Sequence, residues 1–159
     1  MGFFDKIKSF AGGHGVKVAH TEIEKQEPTE VTLPITDTVV KGRFVVRSEK
    51  PCEVLSMKAE FCMEVTHADG RVETVVLGED VFPDAYTSRS DDMLKYPHTM
   101  SGGAEVEDFF IISMEKDIPT VLAEKNLTFE TAKFFVKTMV DVKGSPFDPE
   151  AKDLIQITT

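Results

Sequence analysis

The stretch from Val54 to Val65 constrains this chain more than any other. Leu55, Met57, Ala59, Phe61, Met63 and Val65 alternate with Val54, Ser56, Lys58, Glu60, Cys62 and Glu64. Side chains on a strand point to opposite faces at a period of two, so this pattern buries one face and leaves the other mostly polar. Antiparallel sheets read this way, whereas parallel sheets show near-continuous apolar runs. Ala68-Asp69-Gly70 follows as a hairpin turn, because glycine tolerates positive φ, and Arg71 to Leu77 returns as the partner strand.

The same period runs through most of the chain. Val16-Lys17-Val18 starts a strand that breaks near Pro28, and Val31-Thr32-Leu33 is a brief second one. Thr38, Val40, Phe44 and Val46 then alternate with Val39, Lys41, Arg43 and Arg47. Gly42 falls on the inner face, where a glycine marks a bulge or a close backbone approach. Phe109–Met114 is short enough to be a buried strand. Thr128–Lys143 sets Val136, Thr138, Val140 and Val142 on one side, Gly144-Ser145-Pro146 turns the chain, and Leu154–Ile157 ends it as a strand. Many short strands, separated by turns and with almost no helix, predict an antiparallel sandwich.

Two segments depart from this pattern. In residues 3–11, Phe3, Phe4, Ile7, Phe10 and Ala11 fall on one side at about 100° per residue, opposite Asp5, Lys6, Lys8 and Ser9. This predicts a short amphipathic helix, stopped by the hinge Gly12-Gly13-His14-Gly15. So short a helix is marginal alone and must dock on its own domain, a membrane surface or a second copy. The chain thus divides into an arm and hinge over 1–14 and a β-domain over 15–159. The second exception is the irregular stretch Gly78–Gly103, broken by Pro83, Pro97 and Gly102-Gly103, in which Ser90 can cap one helical turn through Leu94.

Composition narrows the function. At 159 residues the chain can bury a core without disulfides or metal. Its formal net charge of −10, with no basic stripe, argues against nucleic acid, whose phosphates are neutralised by Lys and Arg. Cys52 and Cys62 form no disulfide framework, and the N-terminus lacks the apolar core of a secretory signal, which together point to a reducing, cytoplasmic compartment. No run approaches the length of a membrane span.

The residue types of the common chemistries are present without their spacing. Neither cysteine is paired by sequence with any of the four histidines, and no Gly-x-Ser-x-Gly elbow occurs. On the polar face of its strand, Cys62 is expected to be exposed, yet nothing nearby lowers its pKa. His14, His20, His67 and His98 are scattered, and Asp91-Asp92 reads as the acidic first turn of a small helix rather than half a metal site. Gly12–Gly15 lacks the Walker lysine and hydroxyl. These observations predict no enzyme, metal or cofactor.

The order of several segments resembles arrestin-like domains. Val39–Val46 is similar to that family's V-x-G-x-[IVF]-x-[IVL] strand, and Ile112–Thr120 to its strand followed by D-[IL]-P-[PST]. Phe134–Val142 resembles its aromatic-V-K-x-x-x-D-[IV] strand, and Phe147–Ile157 the D-P-x-x-x-D-x-I-x-[IV] ending of bacterial members. The Phe3-Phe4 opening before a glycine hinge is similar to the bacterial sporulation-control proteins of that superfamily, and the chain resembles their N-terminal-type sandwich. The resemblance implies an all-β, immunoglobulin-like sandwich acting as an adaptor or regulator rather than an enzyme.

The expected partner is another protein or a second copy, as in a homodimer. One candidate surface is the arm face of Phe3, Phe4, Ile7 and Phe10. The other is the 78–103 loop with Tyr86, Arg89, Tyr96 and His98, since Tyr and Arg anchor protein interfaces and loops this long are functional or disordered. The alternative for these loop residues is that they pack the loop onto the sheet. Exposed sheet edges are a third route. A membrane surface is the weaker partner, because the arm offers only Lys6 and Lys8 against Asp5. A small-molecule or carbohydrate-binding sandwich would want exposed tryptophan, and the chain has none.

Overall fold

A computed structural model describes residues 16–23, 31–32, 39–82, 94–146, 148–155 and 157–158. Among them the strands are β1 (Val16–Ile23), β2 (Val31–Thr32), β3 (Val39–Ser48), β4 (Cys52–Thr66), β5 (Val72–Phe82), β6 (His98–Met100), β7 (Glu105–Ser113), β8 (Ala132–Val142), β9 (Glu150–Ile155) and β10 (Ile157–Thr158). One helix, α1 (Ile118–Glu124), and a 3-10 turn at Phe129–Thr131 lie between β7 and β8. The chain is all-β and mostly antiparallel.

One sheet has the order β1-β3-β7, and a second has the order β5-β4-β8-β9 with β6 pairing the start of β4. A third, parallel pair joins β2 to β10. The inner residues of β3, β4, β7 and β8 form one core, in which Phe44, Phe61, Phe110, Met57 and Met63 are fully buried. Each of these large side chains contributes about 1.5–3 kcal/mol relative to exposure. The rings of Phe61 and Phe134 lie 6.2 Å apart, and Phe129 continues the contact at 5.9 Å from Phe134.

The two larger sheets meet where β7 runs beside β5. The N–H groups of Glu115 and Lys116 both donate to the Leu77 carbonyl, at 2.8 and 3.1 Å. Gly78 is the next residue, and a Cβ there would lie 2.2 Å from the Ser113 carbonyl oxygen. The close approach therefore requires glycine.

The β4–β5 hairpin follows its sequence. Gly70 has φ +83°, its N–H donates to the His67 carbonyl, and the Arg71 N–H donates to Asp69 Oδ1. Gly42 is buried as expected, but no bulge lies there. The register of β3 against β7 is unbroken, and the irregularity falls in β1 between Val18 and His20.

Several expectations are corrected. A register shift between Val54 and Ser56 turns Val54 inward and leaves Leu55 only half-buried. The irregular 78–103 stretch is shorter than expected, because β5 continues to Phe82 and β6 occupies His98–Met100; residues 83–93, including the predicted Ser90 cap, lie outside the described residues. Phe109–Met114 is not buried on both faces: Asp108, Phe110 and Ile112 point inward, while Phe109 and Ile111 point out.

Strand periodicity also hid α1. Asp117 caps it, accepting from the Thr120 N–H at 3.0 Å, and Pro119 sits in the first turn, where a missing N–H costs nothing. Asn126, at φ +55°, ends it: its N–H donates to the Ala123 carbonyl and that of Leu127 to Leu122, a Schellman arrangement. Ile118, Val121 and Leu122 fix the helix to the core.

Candidate interaction surface

The outer face of the β1-β3-β7 sheet carries the most distinctive exposed surface among the described residues. The antiparallel register sets Lys41 beside Ile111, Arg43 beside Phe109, Val45 beside Glu107 and Arg47 beside Glu105. Phe109 and Ile111, two positions apart on β7, are 41% and 48% exposed. Around them Arg43 pairs with Glu107 at 3.2 Å, and the Arg47 Nε donates to Glu105 Oε2 at 3.0 Å. An apolar pair with a charged rim is the layout of a protein interface. Exposed surface pairs of this kind add little to fold stability.

The outer face of the other sheet differs. Its exposed apolar residues are dispersed: Val72 and Val81 stand at opposite ends of β5, and Leu154 is alone on β9. Several of its charges are paired among themselves, as on the first face. The Lys58 ammonium lies 2.7 Å from Glu60 and 2.8 Å from Glu79, and these hydrogen bonds, Glu60 first, raise its pKa. Lys137 pairs with Glu150 at 3.2 Å, and the Lys152 ammonium lies 5.0 Å from the Phe135 ring centroid. Apolar residues scattered singly on a surface are ordinary.

Cys62 lies on this second face but is not exposed. It sits between Val76 and Phe135 in the register and is only 1% exposed. Burial, and secondarily Glu60, pushes its thiol up to about 11. A thiol so placed is protonated near neutrality and is not a nucleophile.

A cleft of about 560 Å³ opens at the hairpin end, lined by Thr66, His67, Asn126, Thr128 and Lys133 among others. Its walls are tied together by Glu73, which lies 2.8 Å from His67 Nε2 and accepts from the Lys125 ammonium at 2.7 Å. Lys125, then His67, hold the Glu73 carboxyl below the usual range. No Phe, Tyr or Trp lines the cleft, and no group of three or more potential metal ligands occurs among the described residues.

The sequence-predicted residues fall elsewhere. Phe3, Phe4, Ile7, Phe10, Tyr86 and Arg89 lie outside the described residues. Tyr96 packs against the core, and its hydroxyl donates to Asp108 Oδ2 at 2.9 Å. His98 lies in β6, half-buried and paired with Val54. The β7 edge is partly closed to strand addition, because the Phe109 N–H bonds Asp108 Oδ1 and the Ile111 N–H bonds Asp80 Oδ2. Sequence reasoning missed Phe109 and Ile111 because Asp108, a carboxylate, occupies an inward position and disguises the alternation through 105–113.

No family model and no curated protein matches the chain. Among solved structures it is similar to the C-terminal domain of wzt, at a TM-score of 0.50 and 13% identity, covering 93% of this chain and 76% of that one. It is also similar to the Pseudomonas fluorescens alkylpurine DNA glycosylase AlkC, at a TM-score of 0.39 and 12% identity, covering 97% of this chain and 33% of that one. A third likeness is the ligand binding region of Serine-glutamate repeat protein A of Enterococcus faecium, at a TM-score of 0.35 and 14% identity, covering 88% of this chain and 98% of that one. The first is a likeness of fold alone, and the other two are too distant to carry an argument.

Proposed function

We propose that this chain is a non-enzymatic protein-interaction module of arrestin-like, immunoglobulin-type sandwich form, working in the cytoplasm. One core shared by the inner faces of two antiparallel sheets supports the sandwich reading. The two unbridged thiols support a reducing compartment. The observation that carries the function is the adjacent pair Phe109 and Ile111, half-exposed within a rim of Arg43, Arg47, Glu105 and Glu107. Neither side chain serves the core, and burying both against a partner is worth several kcal/mol at about 25 cal/mol per Å². The buried, protonated Cys62 supports the non-enzymatic reading.

The test is affinity capture with the full chain and with Phe109→Asp and Ile111→Asp, both on the exposed face. The expected result is a set of bound proteins retained by the wild type and by Leu154→Asp but lost by both face variants. Equal capture by all four chains contradicts the assignment.

A further inference from the structure

We propose that the outer face of β3 and β7 binds a second copy of this chain, about a two-fold axis parallel to the strands and midway between them. The inference rests on the reading of that face as the interaction surface and names its occupant.

The argument is one of symmetry. Rotation by 180° about such an axis keeps every residue at its level along the strands and exchanges β3 with β7. Each cross-strand pair then lies over its own reversed image. Arg47 is registered with Glu105, so Arg47 faces the partner's Glu105 while Glu105 faces the partner's Arg47. Arg43 is registered with Phe109, so its guanidinium faces the partner's Phe109 ring, which attracts a cation. Lys41 lays its methylene stem over the partner's Ile111. These three pairings are favourable and each occurs twice, as an isologous interface requires, while the fourth sets Val45 over the partner's Glu107 and adds nothing. An axis across the strands would instead set Lys41 over the partner's Arg47, opposing like charges.

Net charge favours this face. The chain carries −10, so two copies repel each other over most of their surface. The outer face of β3 and β7 presents three cations, Lys41, Arg43 and Arg47, against two carboxylates, Glu105 and Glu107. Copies can meet there without that repulsion. The overlap of two strands is roughly 30 Å by 10 Å, about 600 Å² over both copies and below the size of standard protein interfaces, so the dimer is weak and transient.

The test is sedimentation velocity of the full chain from about 1 μM to about 1 mM, the range suited to a small interface. A reversible monomer–dimer equilibrium is expected. Arg47→Glu and Glu105→Arg each weaken it by roughly tenfold or more, since each sets like charges face to face. Mixed together, the two variants re-associate, because each reversed side chain then meets its opposite on the other chain. A monomer at every concentration, or a dimer indifferent to both reversals and their mixing, overturns the proposal. Loss of captured proteins in Phe109→Asp while the wild type stays monomeric would leave the face an interaction surface and remove only the second copy as its occupant.

Discussion

The phenol of Tyr96 donates to a carboxylate that no solvent reaches: Asp108 is fully buried, and its Oδ2 lies 2.9 Å from the Tyr96 hydroxyl. The other oxygen accepts the Phe109 N–H at 2.9 Å. One aspartate thus fixes the chain ahead of β6 and satisfies an amide of β7 beside the exposed Phe109. A buried carboxylate is tolerated only with such partners.

Tyr96→Phe keeps the ring and deletes the donor. Leaving a buried acceptor without its donor costs about 1–3 kcal/mol. A urea unfolding midpoint lowered accordingly, with an unchanged slope, is the expected outcome. An unchanged midpoint would show that the Tyr96 hydroxyl contributes nothing to holding Asp108.

Gly78→Ala tests the meeting of the sheets. The added methyl collides with the Ser113 carbonyl, a backbone atom that cannot rotate aside. Overpacking of this kind costs about 1–3 kcal/mol. A clear fall in Tm is expected in thermal unfolding, and a neutral substitution would mean that β5 and β7 are further apart than described.

Cys62 should resist modification. With its thiol pushed up to about 11 and nearly all its surface covered, it reacts with a thiol reagent at neutral pH only as fast as the protein opens. Half-buried Cys52 is the contrast. Mass spectrometry of the native protein after brief labelling should find Cys62 unmodified, and rapid labelling there would refute its placement.

Glu73 gives a pH dependence of known sign. Its carboxyl is held below its usual range by Lys125 and then His67, so its contribution is present above the unfolded-state value of about 4.3. It is lost as pH falls through the lower folded value. The stability difference between wild type and Glu73→Gln should therefore narrow as pH is lowered through this range. A difference that persists unchanged in acid would mean that the ion pairs to Glu73 do not set it.

Much of the fold was legible because one-sided burial writes itself as alternation. Met57 to Val65 and Val136 to Val142 carry that signal plainly, and the Asp69-Gly70 turn carries its own mechanism. What failed involved tertiary terms. The register shift that turns Val54 inward leaves no local mark. Cys62 is hidden by Phe135, a neighbour far along the chain. Helix α1 was signalled by Asp117, Pro119 and Asn126, yet a segment this short offers too little periodicity to compete with the strand pattern around it. The candidate surface was hardest to see, because Asp108 in an inward position makes Phe109–Ile112 look uniformly apolar instead of alternating.

The most direct measurement is in-cell photo-crosslinking from a reactive residue placed at position 109, compared with the same residue at 72 and at 154. All three positions carry exposed apolar side chains, and only 109 lies on the proposed face. Crosslinks to protein, a second copy or another chain, concentrated at 109 are what this account predicts. Crosslinks at 72 or 154 with none at 109 would contradict it.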